Sequence, residues 1–113
     1  MLRRYAPLRE SRGTVIPTSV RRVVHARDRG QCVVALVGVA HECLPGRELD
    51  HVRSSGALGR KSPSTPENLV TTCPVGHRIK TENGRTVRPL LLAYLDQHAA
   101  VTAALVASEG VAS

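Results

Sequence analysis

The stretch Leu49-Asp50-His51-Val52, followed by Asn68-Leu69-Val70 and then by Cys73-Pro74-Val75-Gly76-His77, decides the fold. Residues 47–52 are predicted to form a short strand, and residues 69–72 are predicted to form the strand that returns beside it. A helix is predicted to begin at Cys73-Pro74, because a proline in the first helical turn loses no hydrogen bond. This helix is expected to end near Asn83-Gly84.

A long segment from Arg53 to Glu67, rich in Ser, Gly, Pro and basic residues, separates the two predicted strands. Loops of this length in a small domain are usually functional. The resulting order is strand, loop, strand, helix, which is a ββα unit.

Asp50 and His77 carry the donor atoms of a divalent-metal site. A carboxylate is a hard oxygen ligand and an imidazole is a borderline nitrogen ligand. His77 falls in the first two turns of its helix, so its ring can face back onto the strand. His51 follows Asp50 on an extended segment and is therefore expected to point to the opposite face. A neutral imidazole at that position could take a proton from water.

The three segments, in this order and spacing and continuing to Lys80, resemble the HNH endonuclease family over roughly residues 20 to 95. The resemblance implies an α+β fold, with a small ββα-metal core (the HNH, or His-Me finger, core) and flanking N- and C-terminal helices. It also implies one divalent cation held by Asp50 and His77, most often Mg²⁺. The ligand pair does not select a single metal, and Mn²⁺, Zn²⁺ or Ni²⁺ would also fit.

By the same resemblance, His51 and Asn68 are the catalytic residues. His51 would activate the water that attacks the scissile phosphorus. Asn68 would hold the long loop and orient that base through hydrogen bonds. The basic residues around the motif are assigned to DNA phosphates, and they are Arg53, Arg60, Lys61, Arg78 and Lys80.

The three cysteines leave two interpretations open. Many relatives carry two Cys-x-x-Cys pairs that bind a structural zinc, whereas here Cys32 and Cys43 are far apart and Gly76 stands where a partner of Cys73 would be. His41 could serve as the fourth ligand beside the three thiols. In the other interpretation there is no zinc and the cysteines are simply buried.

The composition favours a polyanionic partner. The chain has 113 residues and a formal net charge of +7, and its only aromatic side chains other than histidine are two tyrosines. A basic domain of this size points first to nucleic acid. The scarcity of aromatic rings argues against a protein that stacks single-stranded bases. The core must be built from aliphatic side chains.

The chain is expected to form one nuclease domain, residues 17–107, with its ββα core at about 47–83. Residues 1–16 are predicted to be a flexible basic arm, and residues 108–113 a frayed end. A helix is predicted from Thr18 to Gly30, an irregular knuckle over residues 31–46, and a last helix from Pro89 to about Val106.

No segment is long and apolar enough for a membrane span, and residues 1–10 lack the apolar run of a signal peptide. An odd number of cysteines fits a reducing compartment, so a cytoplasmic protein is expected.

The sequence therefore favours a metal-dependent endonuclease that hydrolyses phosphodiester bonds in double-stranded DNA. Small free-standing units of this kind resemble those of bacteriophages and prophages, where a terminase is a partner by analogy only. Two alternatives stay open. One is a basic zinc-knuckle protein that binds nucleic acid without cutting it, and the other is an RNA-directed nuclease of the same fold.

Overall fold

A computed structural model describes residues 15–53 and 63–110 of the chain. These residues form a small α+β fold with five α-helices and one two-stranded sheet. A short 3-10 turn, Pro66–Asn68, leads directly into the second strand. The elements in chain order are α1 (Thr18–Asp28), α2 (Val33–Leu36), β1 (Glu48–His51), β2 (Leu69–Thr72), α3 (Pro74–Glu82), α4 (Gly84–Gln97) and α5 (Ala99–Glu109).

The sheet is antiparallel, with Asp50 opposite Val70 and His51 opposite Leu69. Every residue of β2 is buried, because α1, α2 and α3 all pack against it. In β1, Asp50 is buried while the residues on either side of it are half-exposed. The strand that carries the predicted site residues is therefore the more open one.

The core is aliphatic, as the composition predicts. A larger cluster joins the valines of α2, Val52 just after β1 and Val70 of β2 to Leu91 of α4, and it includes Cys32 and Cys73. A smaller cluster of Ile16, Val20, Val24 and Leu69 fixes α1 on the sheet.

A buried ion pair at the end of α1 connects most of the other elements. The side chains of Arg27 and Asp28 are 0% exposed and are joined by hydrogen bonds of 2.7 and 3.1 Å. The Tyr94 hydroxyl of α4 donates to Asp28, and burial, followed by this hydrogen bond, raises the pKa of Tyr94. Arg27 also donates to the carbonyl oxygens of Pro66 (2.8 Å) and Leu69 (2.6 Å) and to the Thr102 hydroxyl (3.5 Å). Asp28 accepts from the Thr71 N–H (2.9 Å) and from the Tyr94 hydroxyl (2.8 Å).

The predicted strands and the helix after them agree with the structure to within one or two residues at each boundary. Helix α1 ends at Asp28, two residues before the predicted Gly30, with Arg29 in the left-handed conformation at φ 56°. The segment 31–46, predicted to be irregular, contains the four-residue helix α2. Val33 and Val34 of α2 are 0% exposed, so burial of its apolar side chains accounts for this helix.

The prediction for the last helix is wrong in two respects. The helix begins at Gly84 rather than Pro89, and Pro89 lies inside α4. Buried Val87 and two backbone hydrogen bonds to the carbonyl of Asn83 fix a start upstream of the proline. The helix also breaks at His98, where α4 and α5 meet at 63°. There the imidazole Nδ1–H of His98 donates to the Tyr94 carbonyl at 2.8 Å.

Both ends of the predicted domain extend further than expected. Ile16, assigned to the arm, is buried in the smaller core cluster. Helix α5 continues through Ser108 to Glu109, where a frayed end was predicted, and Glu109 pairs with Arg22 at 3.3 Å. The rest of the predicted arm, residues 1–14, lies outside the described residues.

Within the described ranges, no single helix is both long and apolar enough to cross a membrane. Helices α4 and α5 reach that length and composition only when counted together across their 63° bend.

Candidate functional site

A cleft of about 500 Å³ opens beside β1, and Asp50, His51 and His77 all line it. Arg21 and Arg47 add positive charge at its wall. A larger cavity of about 710 Å³ lies among α1, α2, α4 and α5, and none of the sequence-predicted site residues is among those lining it. The candidate site is therefore the smaller cleft, because the side chains that carry chemistry converge there.

Asp50 and His77 face each other across the space between β1 and α3. The His77 Nε2 lies 3.2 Å from Asp50 Oδ1. Asp50 is 5% exposed, and its Oδ2 has no hydrogen-bond partner among the described residues. Lys80 Nζ lies 3.3 Å from that oxygen, without hydrogen-bonding geometry.

This pair fits a divalent cation. Two donors that each lie about 2.1 Å from one cation, at a right angle, stand about 3.0 Å apart, close to the 3.2 Å seen here. Lys80 compensates part of the Asp50 charge, but Oδ2 accepts no hydrogen bond from the described part of the chain, so a lone pair remains for a cation. With only two protein ligands, the remaining positions would be left to water and substrate.

His51 hydrogen-bonds through Nε2 to the hydroxyl of Ser64, at 3.0 Å. Burial is the main cause that lowers its pKa, Lys80 and His77 lower it further, and Asp50 opposes them. The imidazole is therefore held neutral, as a general base must be. Asp50 is directed toward α3 and His51 toward the end of the loop, yet both line the same cleft.

Asn68 joins the two ends of the long loop. Its Oδ1 accepts from the Arg53 N–H at 2.9 Å, and its Nδ2 donates to the carbonyl oxygens of Arg53, at 3.2 Å, and Pro63, at 2.9 Å. These are the contacts that a residue pinning the loop needs. Asn68 is buried at the end of the 3-10 turn.

The basic residues predicted to contact DNA fall into three groups. Arg53 and Arg78 are exposed. Arg60 and Lys61 lie outside the described residues. Lys80, assigned to a phosphate, is instead buried. Its ammonium donates to the His51 carbonyl at 2.7 Å and compensates the neighbouring Asp50 carboxylate. Because Lys80 is buried, its ammonium is not available to a DNA phosphate.

Cys32, His41, Cys43 and Cys73 converge on a second position, and their ligand atoms all lie within 4.8 Å of one another. The His41 Nε2 is 3.7, 3.4 and 3.3 Å from the sulfurs of Cys32, Cys43 and Cys73. In a tetrahedral zinc site these nitrogen–sulfur edges are about 3.6 Å. The group can therefore hold a metal ion such as Zn²⁺.

The cluster is also prepared electrostatically. The His41 Nδ1–H donates to the Val39 carbonyl at 2.8 Å, which leaves the Nε2 lone pair facing the sulfurs. Burial opposes ionisation of Cys73, but hydrogen bonds from the Gly76 N–H, His41 and the other two thiols outweigh it and lower its pKa to about 6. Cys43 is exposed, and desolvation followed by its hydrogen bond to Cys73 raises its pKa to about 11, which opposes the thiolate form that binds metal.

Gly76 leaves space for His41 and Cys32 beside the start of α3. A Cβ at Gly76 would lie 2.8 Å from Cys32 Sγ and 3.2 Å from His41 Nε2. The volume that a cysteine side chain would need at this position is filled by His41 and Cys32.

Glu48 is a site residue that the sequence interpretation missed. Its Oε1 accepts from the His77 Nδ1–H at 2.6 Å. The sequence could have indicated Glu48 through its spacing from Asp50, because residues two apart on a strand share a face.

Comparison with protein-family models, with curated proteins and with solved structures finds no match for this chain.

Proposed function

We propose that this chain is a metal-dependent DNA endonuclease of the HNH type, with β1, β2 and α3 as its ββα-metal core. The single observation that carries the proposal is the convergence of Asp50, His77 and a neutral His51 on one cleft. One carboxylate and two imidazoles in this arrangement suit phosphodiester hydrolysis.

In the proposed reaction, His51 takes the proton of the attacking water, with Ser64 fixing the orientation of its ring. Asp50 and His77 would hold a divalent cation, which would supply charge stabilisation at the scissile phosphate and at the oxygen that leaves when the P–O bond breaks. Asn68 holds the two ends of the loop together, so that His51 and Ser64 stay within hydrogen-bonding distance. Lys80 holds the backbone of His51 through its carbonyl oxygen.

The Cys32, His41, Cys43 and Cys73 cluster has a structural role in this proposal. A bound zinc would join the knuckle to the start of α3, which also carries His77. Closed sites made of four protein ligands stabilise folds, whereas catalytic zinc sites keep an open position.

Double-stranded DNA is the proposed substrate, supported by the net charge of +7 and by exposed Arg53 and Arg78. Supercoiled plasmid, incubated with Mg²⁺, Mn²⁺ or EDTA, tests this directly. Nicked or linear product with either metal, and none with EDTA or with His51→Ala, is the expected result. No cleavage by the parent protein under any metal would refute the proposal. Faster cleavage of RNA than of duplex DNA would favour an RNA-directed nuclease.

A second candidate is a nucleic-acid-binding module that does not cut. The metal-binding geometry of the Cys/His cluster, together with the basic charge, favours it, because zinc-knuckle proteins need no more than these two features. Salt-sensitive DNA binding by a parent protein that leaves every substrate intact would select this candidate.

A further inference from the structure

Both ring nitrogens of His77 face carboxylates. The Nδ1–H donates to Glu48 Oε1 at 2.6 Å, and Nε2 lies 3.2 Å from Asp50 Oδ1. The two acids differ in their surroundings, because Asp50 is buried and Glu48 is exposed at the start of β1. The imidazole thus lies between an outer and an inner carboxylate.

The strand geometry produces this arrangement. Glu48 and Asp50 are two residues apart on β1, so their side chains leave the same face of the strand. Helix α3 packs against β1, and His77, in its first turns, meets both of them.

The contact with Glu48 determines which ring nitrogen carries hydrogen. A 2.6 Å bond to a carboxylate is short and charge-assisted, so it favours hydrogen on Nδ1. The lone pair of Nε2 is then directed toward Asp50, where the second donor of the proposed cation site lies.

We propose that Glu48 is a positioning residue for the cation site: by accepting the Nδ1–H of His77, it fixes the ring and presents Nε2 to a divalent cation. This inference rests on the proposed function, because it concerns the same cation. Hydrogen-bond partners of metal-binding histidines typically change metal affinity by about 10- to 100-fold.

The test is a Mn²⁺ titration of the protein without DNA, followed by the spectroscopic signal of free Mn²⁺. Glu48→Ala should bind Mn²⁺ about 10- to 100-fold more weakly than the parent. Glu48→Gln, which keeps an oxygen acceptor, should stay within a few-fold of the parent. Glu82→Ala is the control, because Glu82 carries the same charge on α3 and is not hydrogen-bonded to His77. Long-range proton–nitrogen NMR should find the Nδ1–H form of His77 in the parent and a loss of that preference in Glu48→Ala.

Unchanged Mn²⁺ affinity in Glu48→Ala, with the His77 tautomer retained, would overturn the inference alone. A parent protein whose Mn²⁺ binding depends on Asp50 and Glu48 but which cuts no nucleic acid would overturn the proposed nuclease and leave the role of Glu48 intact. Mn²⁺ binding that is indifferent to Asp50→Ala would overturn both. Glu48 is exposed, so its replacement leaves the core unchanged, and melting curves of the parent and all four variants check that each protein is folded.

Discussion

Replacement of Gly76 by alanine is the sharpest test of the Cys/His cluster. The added methyl carbon would lie 2.8 Å from Cys32 Sγ, 3.2 Å from His41 Nε2 and 3.3 Å from Val34 Cβ. Carbon–sulfur contacts this short do not occur in relaxed proteins, so Cys32 or helix α3 has to move. Movement of either would spread the ligand atoms that now lie within 4.8 Å of one another.

The expected free-energy change combines two opposing effects. Overpacking of a buried site costs about 1–3 kcal/mol. Alanine in place of glycine in a helix returns about 0.4–1 kcal/mol. The two ranges combine to a net loss of about 0–2.6 kcal/mol for Gly76→Ala, with a middle value of about 1.3 kcal/mol. For a chain of this size, each kcal/mol lowers the melting temperature by about 4 °C. Gly84→Ala is the matched control, because its Cβ would meet only the flexible end of Arg88, at 3.2 Å.

The assay is thermal unfolding of both variants with and without zinc, together with zinc competition against a chromogenic chelator. Gly84→Ala should melt at or above the parent temperature and bind zinc normally. Gly76→Ala should melt lower and lose zinc at lower chelator concentration. If Gly76→Ala matches Gly84→Ala in melting temperature and in zinc affinity, then the four residues do not form the tight site described above.

Four further outcomes are expected. His51→Ala should lower the single-turnover rate of plasmid cleavage by about 10²–10⁴-fold while Mn²⁺ affinity stays at the parent value; an unchanged rate would require another base. Asn68→Ala should lower both the cleavage rate and the unfolding free energy, the latter by about 1–3 kcal/mol, because the Arg53 N–H and two carbonyl groups lose their partner. The pKa of His51 is lowered below its ordinary value of 6.5, so the base is neutral at pH 7 and the cleavage rate should be constant above pH 6.5. Both the cleavage rate and the stability that the neutral ring contributes should fall as the pH drops through the lowered pKa. A pH–rate profile with its midpoint above 6.5 would contradict this. Arg78→Gln should reduce the slope of log K against log salt by about 0.9 if Arg78 contacts a phosphate, and an unchanged slope would remove Arg78 from the interface.

The elements nearest the motif are the ones that local sequence predicts well. Pro74 can stand in a first helical turn, so the start of α3 follows from the chain itself. The two strands are short and lie on either side of a segment rich in Gly, Pro and Ser. The grouping of Cys32, His41, Cys43 and Cys73 was one of the two interpretations that the sequence left open, because a structural zinc takes four ligands and His41, two residues before Cys43, could complete the three thiols.

Contacts between distant segments account for what local sequence did not predict. Pro89 looks like a helix start, but burial of Val87 draws the helix upstream. Lys80 looks like a surface cation, yet its side chain reaches the carbonyl of His51, 29 residues away in the chain. Glu48 gains its role only because His77 lies opposite it on α3.

The buried pair of Arg27 and Asp28 makes hydrogen bonds to β2 that a third strand would otherwise make. A two-stranded sheet leaves the outer edge of each strand without a ladder partner, and such an edge is a template for pairing with another chain. Along β2, the Leu69 carbonyl is taken by the Arg27 guanidinium and the Thr71 N–H by the Asp28 carboxylate. One helical side-chain pair thus supplies both a donor and an acceptor to that edge, and closes it against aggregation.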